Sequence, residues 1–351
     1  MSKKVLFVNS SLTAGGSERV MAILANEFAN LNYNVSMVLV RNSNKENYSV
    51  NKNVEVIRLK YKFKNSFMKI VERIFKLRKL MKKNKYDVII SFTHKINTLV
   101  LFSAMGLKIS IIVSERCDPK QFSKLNRQID NFFYRKAKYI VLQTELVRRD
   151  YPNFLQTKMV VIPNPVIENH SQSFQGKIKN KIVSAGRLVE QKNFSMLIEA
   201  FSKIVNKHDY QLYIYGEGVL RKQLEEKIKD LHLEDKVFLP GYVSNVDDLI
   251  KDAKIYVCSS NYEGISNSML EAMVMGIPTI STDCPVGGSA MMIKDHENGI
   301  LIPVNDCESL VKAMLEIIED NDLAHKLSSN SKKIIERLDS KKIVKEWEKL
   351  I

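Results

Sequence analysis

The sequence predicts an α/β protein built from two doubly wound parallel-sheet domains. Three observations carry this. Short apolar runs alternate with amphipathic helical patterns along the whole chain. At 351 residues there is chain enough for two domains, each with its own core. Between the two alternating series lies Ile162-Pro163-Asn164-Pro165-Val166 and then a polar stretch to Asn180, which reads as an inter-domain linker.

In the first half, Val5 to Val8 reads as a strand and Glu18 to Asn30 as a helix with Val20, Ile23, Leu24 and Phe28 on one face. Further strands follow at Val35 to Val40, Val54 to Leu59, Val88 to Ser91, Ile109 to Val113 and Tyr139 to Leu142. The second half repeats the scheme at Lys181 to Ala185, Gln211 to Tyr215, Val237 to Leu239, Lys254 to Cys258 and Thr279 to Ser281. The expected division is residues 1–165, a linker over 166–180, a second domain over 181–338, and a terminal segment over 339–351 whose helix exceeds the second sheet's needs.

Composition narrows the class. The chain is 45% hydrophobic and 26% charged, an ordinary globular balance. It has no run of eighteen apolar residues, so no transmembrane helix is expected, and its start lacks the apolar length and cleavage site of a secretory signal. Cys117, Cys258, Cys284 and Cys307 are scattered with no CxxC pair, which argues for reduced thiols and against zinc. The charge is lopsided. Residues 1–165 hold 30 Lys+Arg against 11 Asp+Glu, a net of +19, whereas the remainder nets −4. Residues 58–85 alone hold twelve Lys+Arg against one acid, Glu72. Phe67, Ile70, Val71, Ile74 and Leu77 there fall on one helical face, so this stretch reads either as a solvated basic helix packed on the sheet or as an interfacial helix on an anionic leaflet.

The stretch Glu263-Gly264-Ile265-Ser266-Asn267-Ser268-Met269-Leu270-Glu271 follows the apolar run Ile255 to Cys258. Ser266 or Asn267 can cap a helix that ends at Gly276, before Pro278. Two carboxylates eight residues apart thus bracket a strand–loop–helix junction, where free backbone N–H groups attract phosphate and carboxylates suit sugar or ribose hydroxyls. Gly186-Arg187-Leu188-Val189-Glu190-Gln191-Lys192-Asn193 puts two cations at another helix entry, against the dipole preference for acids, which points to an anionic ligand. Thr13-Ala14-Gly15-Gly16-Ser17-Glu18 opens the first helix and reads equally as a ligand loop or as a turn capped by Ser17. Gly216-Glu217-Gly218 and Gly241-Tyr242-Val243 follow two more strands. Each motif falls at a carboxyl strand end, where open parallel sheets bind ligands.

Taken together, these strings resemble the retaining glycosyltransferases of family 4, of the kind that assemble bacterial surface polysaccharides or lipid-linked glycans. Glu263 to Glu271 resembles the EX7E motif, Gly186 to Asn193 the GR-x-x-x-x-K-N motif, and Gly15-Gly16-Ser17-Glu18 the GG-x-E element. The resemblance implies a GT-B fold, with the two domains facing a central cleft and the last helix crossing back to the first domain. It implies a nucleotide-sugar donor, most simply a UDP-sugar, with no metal or other cofactor, and sugar transfer to a glycan hydroxyl. Arg187, Lys192 and Glu263 carry catalysis on this reading: the two cations hold the donor phosphates, and Glu263 orients sugar hydroxyls. Gly15, Gly16, Gly186, Gly216, Tyr242, Val243, Gly264, Ile265, Ser266 and Glu271 line the donor, with Glu271 on the ribose. Relatives carry an acid after the turn at Pro285, where Ala290, Met291 and Met292 stand here, and a His in the loop that here reads Ser114-Glu115-Arg116. His94, Glu115 and Arg116 are therefore the candidates for handling the acceptor.

The basic first domain is then the acceptor side, and the expected partner is a polyprenyl-diphosphate-linked glycan at an anionic membrane surface. The expected location is the cytoplasm, peripherally attached to the inner face of the plasma membrane. Two other functions are compatible with parts of the sequence. A sugar-nucleotide epimerase shares the fold but needs no acceptor, and a nucleic-acid-binding protein would explain the +19 half, although no recognition motif accompanies the charge.

Overall fold

The computed structural model describes residues 2–13, 15–41, 46–63, 65–167, 174 and 176–351. Ala14 and Lys64, and part of the expected linker, lie outside them. The chain forms two compact units, Met1–Pro165 together with Asp339–Ile351, and Val166–Leu338.

In the first unit, β1 (Lys4–Asn9), α1 (Gly16–Asn30), β2 (Asn34–Leu39), β3 (Glu55–Arg58), α2 (Ser66–Asn84), β4 (Val88–Phe92), α3 (His94–Ser103), β5 (Ser110–Ser114), α4 (Lys124–Tyr134), β6 (Tyr139–Leu142), α5 (Asn153–Gln156) and β7 (Met159–Val161) follow in order. All seven strands pair in parallel, in the order β3-β2-β1-β4-β5-β6-β7. The central strands are buried on both faces, which is why they read as continuous apolar runs. Right-handed crossovers put α1 on one face and α2, α3 and α4 on the other, because the strand order reverses at β1. Accordingly α2 packs on α3 and α3 on α4. Asn65 caps α2 by accepting from Phe67 and Met68 N–H, and Ser123 caps α4 through Asn126 N–H.

In the second unit come β8 (Lys179–Ala185), α6 (Phe194–Ser202), β9 (Gln211–Tyr215), α7 (Arg221–Asp230), β10 (Val237–Gly241), α8 (Val246–Ile250), β11 (Ala253–Cys258), α9 (Asn267–Val274), β12 (Thr279–Thr282), α10 (Gly288–Met292), β13 (Ile300–Ile302), α11 (Cys307–Glu319), α12 (Asn321–Ser331) and α13 (Ile335–Leu338). Its six parallel strands run β10-β9-β8-β11-β12-β13, over a core that includes Ile182, Leu197, Phe201, Ile255, Val257 and Met314. The closing helix α14 (Ser340–Glu348) packs on α1 of the first unit. Trp347 is fully buried there, 6.0 Å from Phe92, which in turn stacks on Phe7. Ser340 Oγ donates to Glu27 and Tyr33 OH to Glu348, at 2.8 and 2.9 Å.

β7 and β13 are not expected from the sequence. Each has three residues at a sheet edge, too few for a periodic signal. The α1 cap also differs from expectation. Gly15 holds the N-cap position, and the Ser17 hydroxyl instead donates to Glu18 at 2.7 Å. Among the described residues no helix is long and apolar enough to cross a membrane.

Candidate functional site

The second unit gathers its motifs at the carboxyl ends of β8, β9, β10 and β11. Beyond β11 the chain turns through Ser259 and Ser260 into the loop that carries Glu263, then enters α9 with Ser266 at the N-cap. Lys192 Nζ donates to the Glu263 carboxylate, and Ser260 Oγ donates to the same oxygen at 3.1 Å. The Lys192 and Glu263 side chains are only 13% and 18% exposed. Burial opposes the charge on Lys192, but Glu263 beside it outweighs that and holds its pKa above the usual lysine value. Arg187 is exposed and, among the described residues, has no carboxylate partner. The structure therefore joins Lys192 to Glu263 and leaves Arg187 as the open cation.

Cross-stitching fixes these loops. Ser259 Oγ donates to Lys192 O at 2.8 Å, Gln191 Nε2 to Tyr262 O at 2.9 Å, and Asn261 N to Gln191 O at 2.8 Å. The glycines have packing reasons that motif spacing alone does not reveal. At Gly216, whose φ is +145°, a Cβ would lie 1.8 Å from Gly186 O, and at Gly218 it would lie 2.2 Å from Leu188 O. The Gly216–Gly218 turn thus lets the Arg187 loop sit directly on it, and Leu188 N donates to Glu217 O at 3.0 Å. Gly186 leaves room for the Lys192 stem, whose Cε would lie 3.0 Å from a Cβ at that position. Gly288, which carries no role in the motifs above, has its Cβ position 1.7 Å from Gly264 O and so supports the Gly264–Ile265 backbone. Only the local Gly287-Gly288 pair hints at this in the sequence.

Glu271 lies in α9, 4% exposed and partnered. Ile265 and Ser266 are buried beneath the same loop, while Tyr242 after β10 is 46% exposed and Val243 partly so. In the first unit, Gly15 packs against Glu18, whose carboxylate also accepts from Ser10 Oγ at 3.1 Å, and Gly16 begins α1.

The first-unit candidates separate. Glu115, a candidate for handling the acceptor, lies inside the unit. It is 3% exposed, accepts from Asn97 Nδ2 at 2.8 Å and from Tyr134 OH, and burial pushes its carboxyl pKa up. It braces α3 and α4 from beneath. Arg116 stacks over Phe92 and Trp347 at 5.4 and 6.0 Å and donates to Asn164 Oδ1. Burial pushes its pKa down to about 9. His94 stands at the start of α3, with Nδ1 2.6 Å from Asp130 Oδ2.

Two solved structures share this architecture. A variant of S. aureus TarM in complex with fondaparinux, alpha-GlcNAc-glycerol and UDP superposes with a TM-score of 0.86 at 17% identity, covering 99% of each chain. Anabaena HepE in complex with UDP gives 0.79 at 18% identity, covering 99% of this chain and 98% of that one. Two parallel α/β units with these loops at their strand ends make up the GT-B architecture. Residues 14–169 match the family profile described as Glycosyltransferase Family 4, and residues 166–334 match Glycosyl transferases group 1. The chain belongs to the family 4 type of GT-B glycosyltransferases. Among curated relatives, a Campylobacter jejuni GalNAc-alpha-(1->4)-GalNAc-alpha-(1->3)-diNAcBac-PP-undecaprenol alpha-1,4-N-acetyl-D-galactosaminyltransferase is 28% identical over 99% of this chain and 98% of its own length. A Staphylococcus aureus poly(ribitol-phosphate) alpha-N-acetylglucosaminyltransferase is 27% identical over 88% of this chain and 63% of its own.

Proposed function

We propose that this glycosyltransferase moves a sugar from a nucleotide-sugar, most simply a UDP-sugar, to a hydroxyl of a lipid-linked or polymer-borne glycan, with retention and without a metal. The observation that carries this reading is the Arg187, Lys192 and Glu263 cluster at the ends of β8 and β11, beside the N-terminus of α9. Arg187, Lys192 and the α9 amides offset the charge that develops on the departing diphosphate. Glu263, pinned by Lys192 and Ser260, orients donor-sugar hydroxyls, and Glu271 holds the ribose. The acceptor oxygen bonds to the anomeric carbon on the face the diphosphate leaves. The C–O bond to phosphate breaks, and the hydroxyl proton passes to the departing diphosphate oxygen. The relatives named for alpha linkages and an undecaprenol-PP acceptor support retention and a lipid carrier.

Screening UDP- and GDP-sugars with lipid-linked glycan acceptors tests this. Acceptor-dependent release of nucleoside diphosphate supports it. Epimerisation of the donor alone, with no acceptor needed, would favour the epimerase reading. Calorimetry divides the two carboxylates: Glu271→Ala should weaken UDP binding about tenfold, whereas Glu263→Ala should impair transfer more than UDP binding. The reverse order would exchange their roles.

We further place the enzyme at an anionic bilayer. Phe67 and Phe75 on α2 are 71% and 68% exposed among its lysines. The sequence's apolar stripe is divided in the structure, because Leu77 is buried against the unit while Phe67 and Ile70 stay exposed. Arg78 is spent on Ser103 O and Met105 O, so Lys79, Lys82 and Lys83 are the cations to change. Each contributes ~1 kcal/mol near an anionic surface, within a Debye length. Cosedimentation with anionic liposomes is expected at low salt. It should be lost at high salt and weakened by the triple Ser variant with UDP binding unchanged. Indifference of the wild type to anionic vesicles at low salt would contradict it.

A further inference from the structure

The first unit holds a cavity of about 210 Å³ where α4 and the segment before it meet α3, lined by His94, Phe122, Arg127, Gln128, Asp130 and Tyr151 among others. None of the donor motifs contributes to it. Its walls are polar and aromatic together, the chemistry that takes a sugar ring: planar hydrogen-bonding groups around the edge and a ring face beneath. At ~30 Å³ per water it has room for roughly seven waters, the scale of one pyranose.

His94 is held here from three directions. Thr93, just before it, has φ +72° and ψ 141°, a conformation that a β-branched residue rarely adopts and that strand–helix turns tolerate where the structure around them enforces it. The Phe122 ring lies parallel to the imidazole, centroids 3.7 Å apart and planes 6° apart. Asp130 Oδ2 takes the Nδ1 side at 2.6 Å, and Thr98 Oγ1 donates to the other Asp130 oxygen. One turn along each helix, Asn97 Nδ2 donates to Tyr134 OH at 3.3 Å, so α3 and α4 are zipped by polar pairs. With Nδ1 turned to Asp130, the other ring nitrogen, Nε2, has no hydrogen-bond partner among the described residues. Arg127 and Gln128 add polar side chains to the same lining.

We propose that this cavity is a subsite for one sugar ring of the acceptor, in which His94 meets a hydroxyl and Asp130 and Phe122 are its positioning residues. The inference rests on the transfer function proposed above and adds where the acceptor is held. The probes are methyl α-glycosides of N-acetylgalactosamine and N-acetylglucosamine, and inorganic phosphate, observed by saturation-transfer NMR on the full chain.

A glycoside should bind the wild type, and His94→Gln or Asp130→Asn should weaken that binding about tenfold, the loss of one well-formed hydrogen bond, with UDP affinity unchanged. In turnover, both variants and Phe122→Leu should raise acceptor KM and leave donor KM within about twofold. Thr98→Val keeps the Asp130–His94 contact and removes only the hydroxyl that braces the other carboxylate oxygen, so it should weaken glycoside binding less than Asp130→Asn does, with UDP affinity unchanged. Absence of glycoside binding to the wild type, or binding equal in the His94 and Phe122 variants, would overturn the subsite. Phosphate displacing the glycoside would make it an anion site instead and also overturn it. Glycoside binding without transfer to any acceptor would sink the transfer function and leave the subsite standing.

Discussion

Arg187→Ala should lose about 10²-fold or more in transfer rate with no change in melting temperature. The side chain is exposed and, among the described residues, carries no ion pair, so its removal breaks nothing in the fold. What it removes is a cation facing charge that exists only as the diphosphate departs. Lys192→Ala should lose at least as much activity, but it should also destabilise the second unit. Its partner Glu263 is mostly buried, and removing one member of a buried pair leaves an uncompensated charge worth about 3–5 kcal/mol. The double variant Lys192→Met with Glu263→Gln removes both charges and should recover much of that stability while staying inactive. Activity assays beside thermal melts separate the three cases. Near-normal turnover in Arg187→Ala with an intact fold would remove the phosphate role assigned to this loop.

Trp347→Ala should be the most damaging single change to the first unit. The indole is fully buried on α14 against both Phe92 and the Arg116 guanidinium, which also contact each other. Truncating a buried Trp costs about 3–5 kcal/mol, which for a unit of this size lowers its melting temperature by roughly 6–20 °C. Among the described residues the indole N–H has no partner, so Trp347→Phe gives up packing but no hydrogen bond and should cost far less. Differential scanning calorimetry distinguishes them. Equal melting of the Ala variant and the wild type would mean that α14 adds nothing to the first unit's stability.

Much of the fold was legible because both sheets are parallel and buried. Strands such as Val5 to Val8 or Ile255 to Cys258 read as unbroken apolar runs, and each motif sits directly after one. Edge strands β7 and β13 were not legible, since three residues are too few to show a pattern. The basic helix shows another limit. Periodicity located the stripe on α2 but not its neighbour, so Leu77 and Phe67 looked alike although one is buried against the unit and the other exposed. In the site, residue types and spacing marked Arg187, Lys192, Glu263 and Glu271, yet nothing local said that Lys192 and Glu263 bond to each other across 71 residues. Asp130 was invisible for the same reason. It meets His94 only because α3 and α4 pack side by side, and Glu115 turned inward because β5 ends under that same junction.

The most direct test of the account is the anomeric configuration of the product. NMR of the glycan formed from an α-linked UDP-sugar and a lipid-linked acceptor should show a new α-linkage, formed only when acceptor is present and lost in Arg187→Ala. A β-linked product, or sugar transfer that survives in full without Arg187, would contradict it.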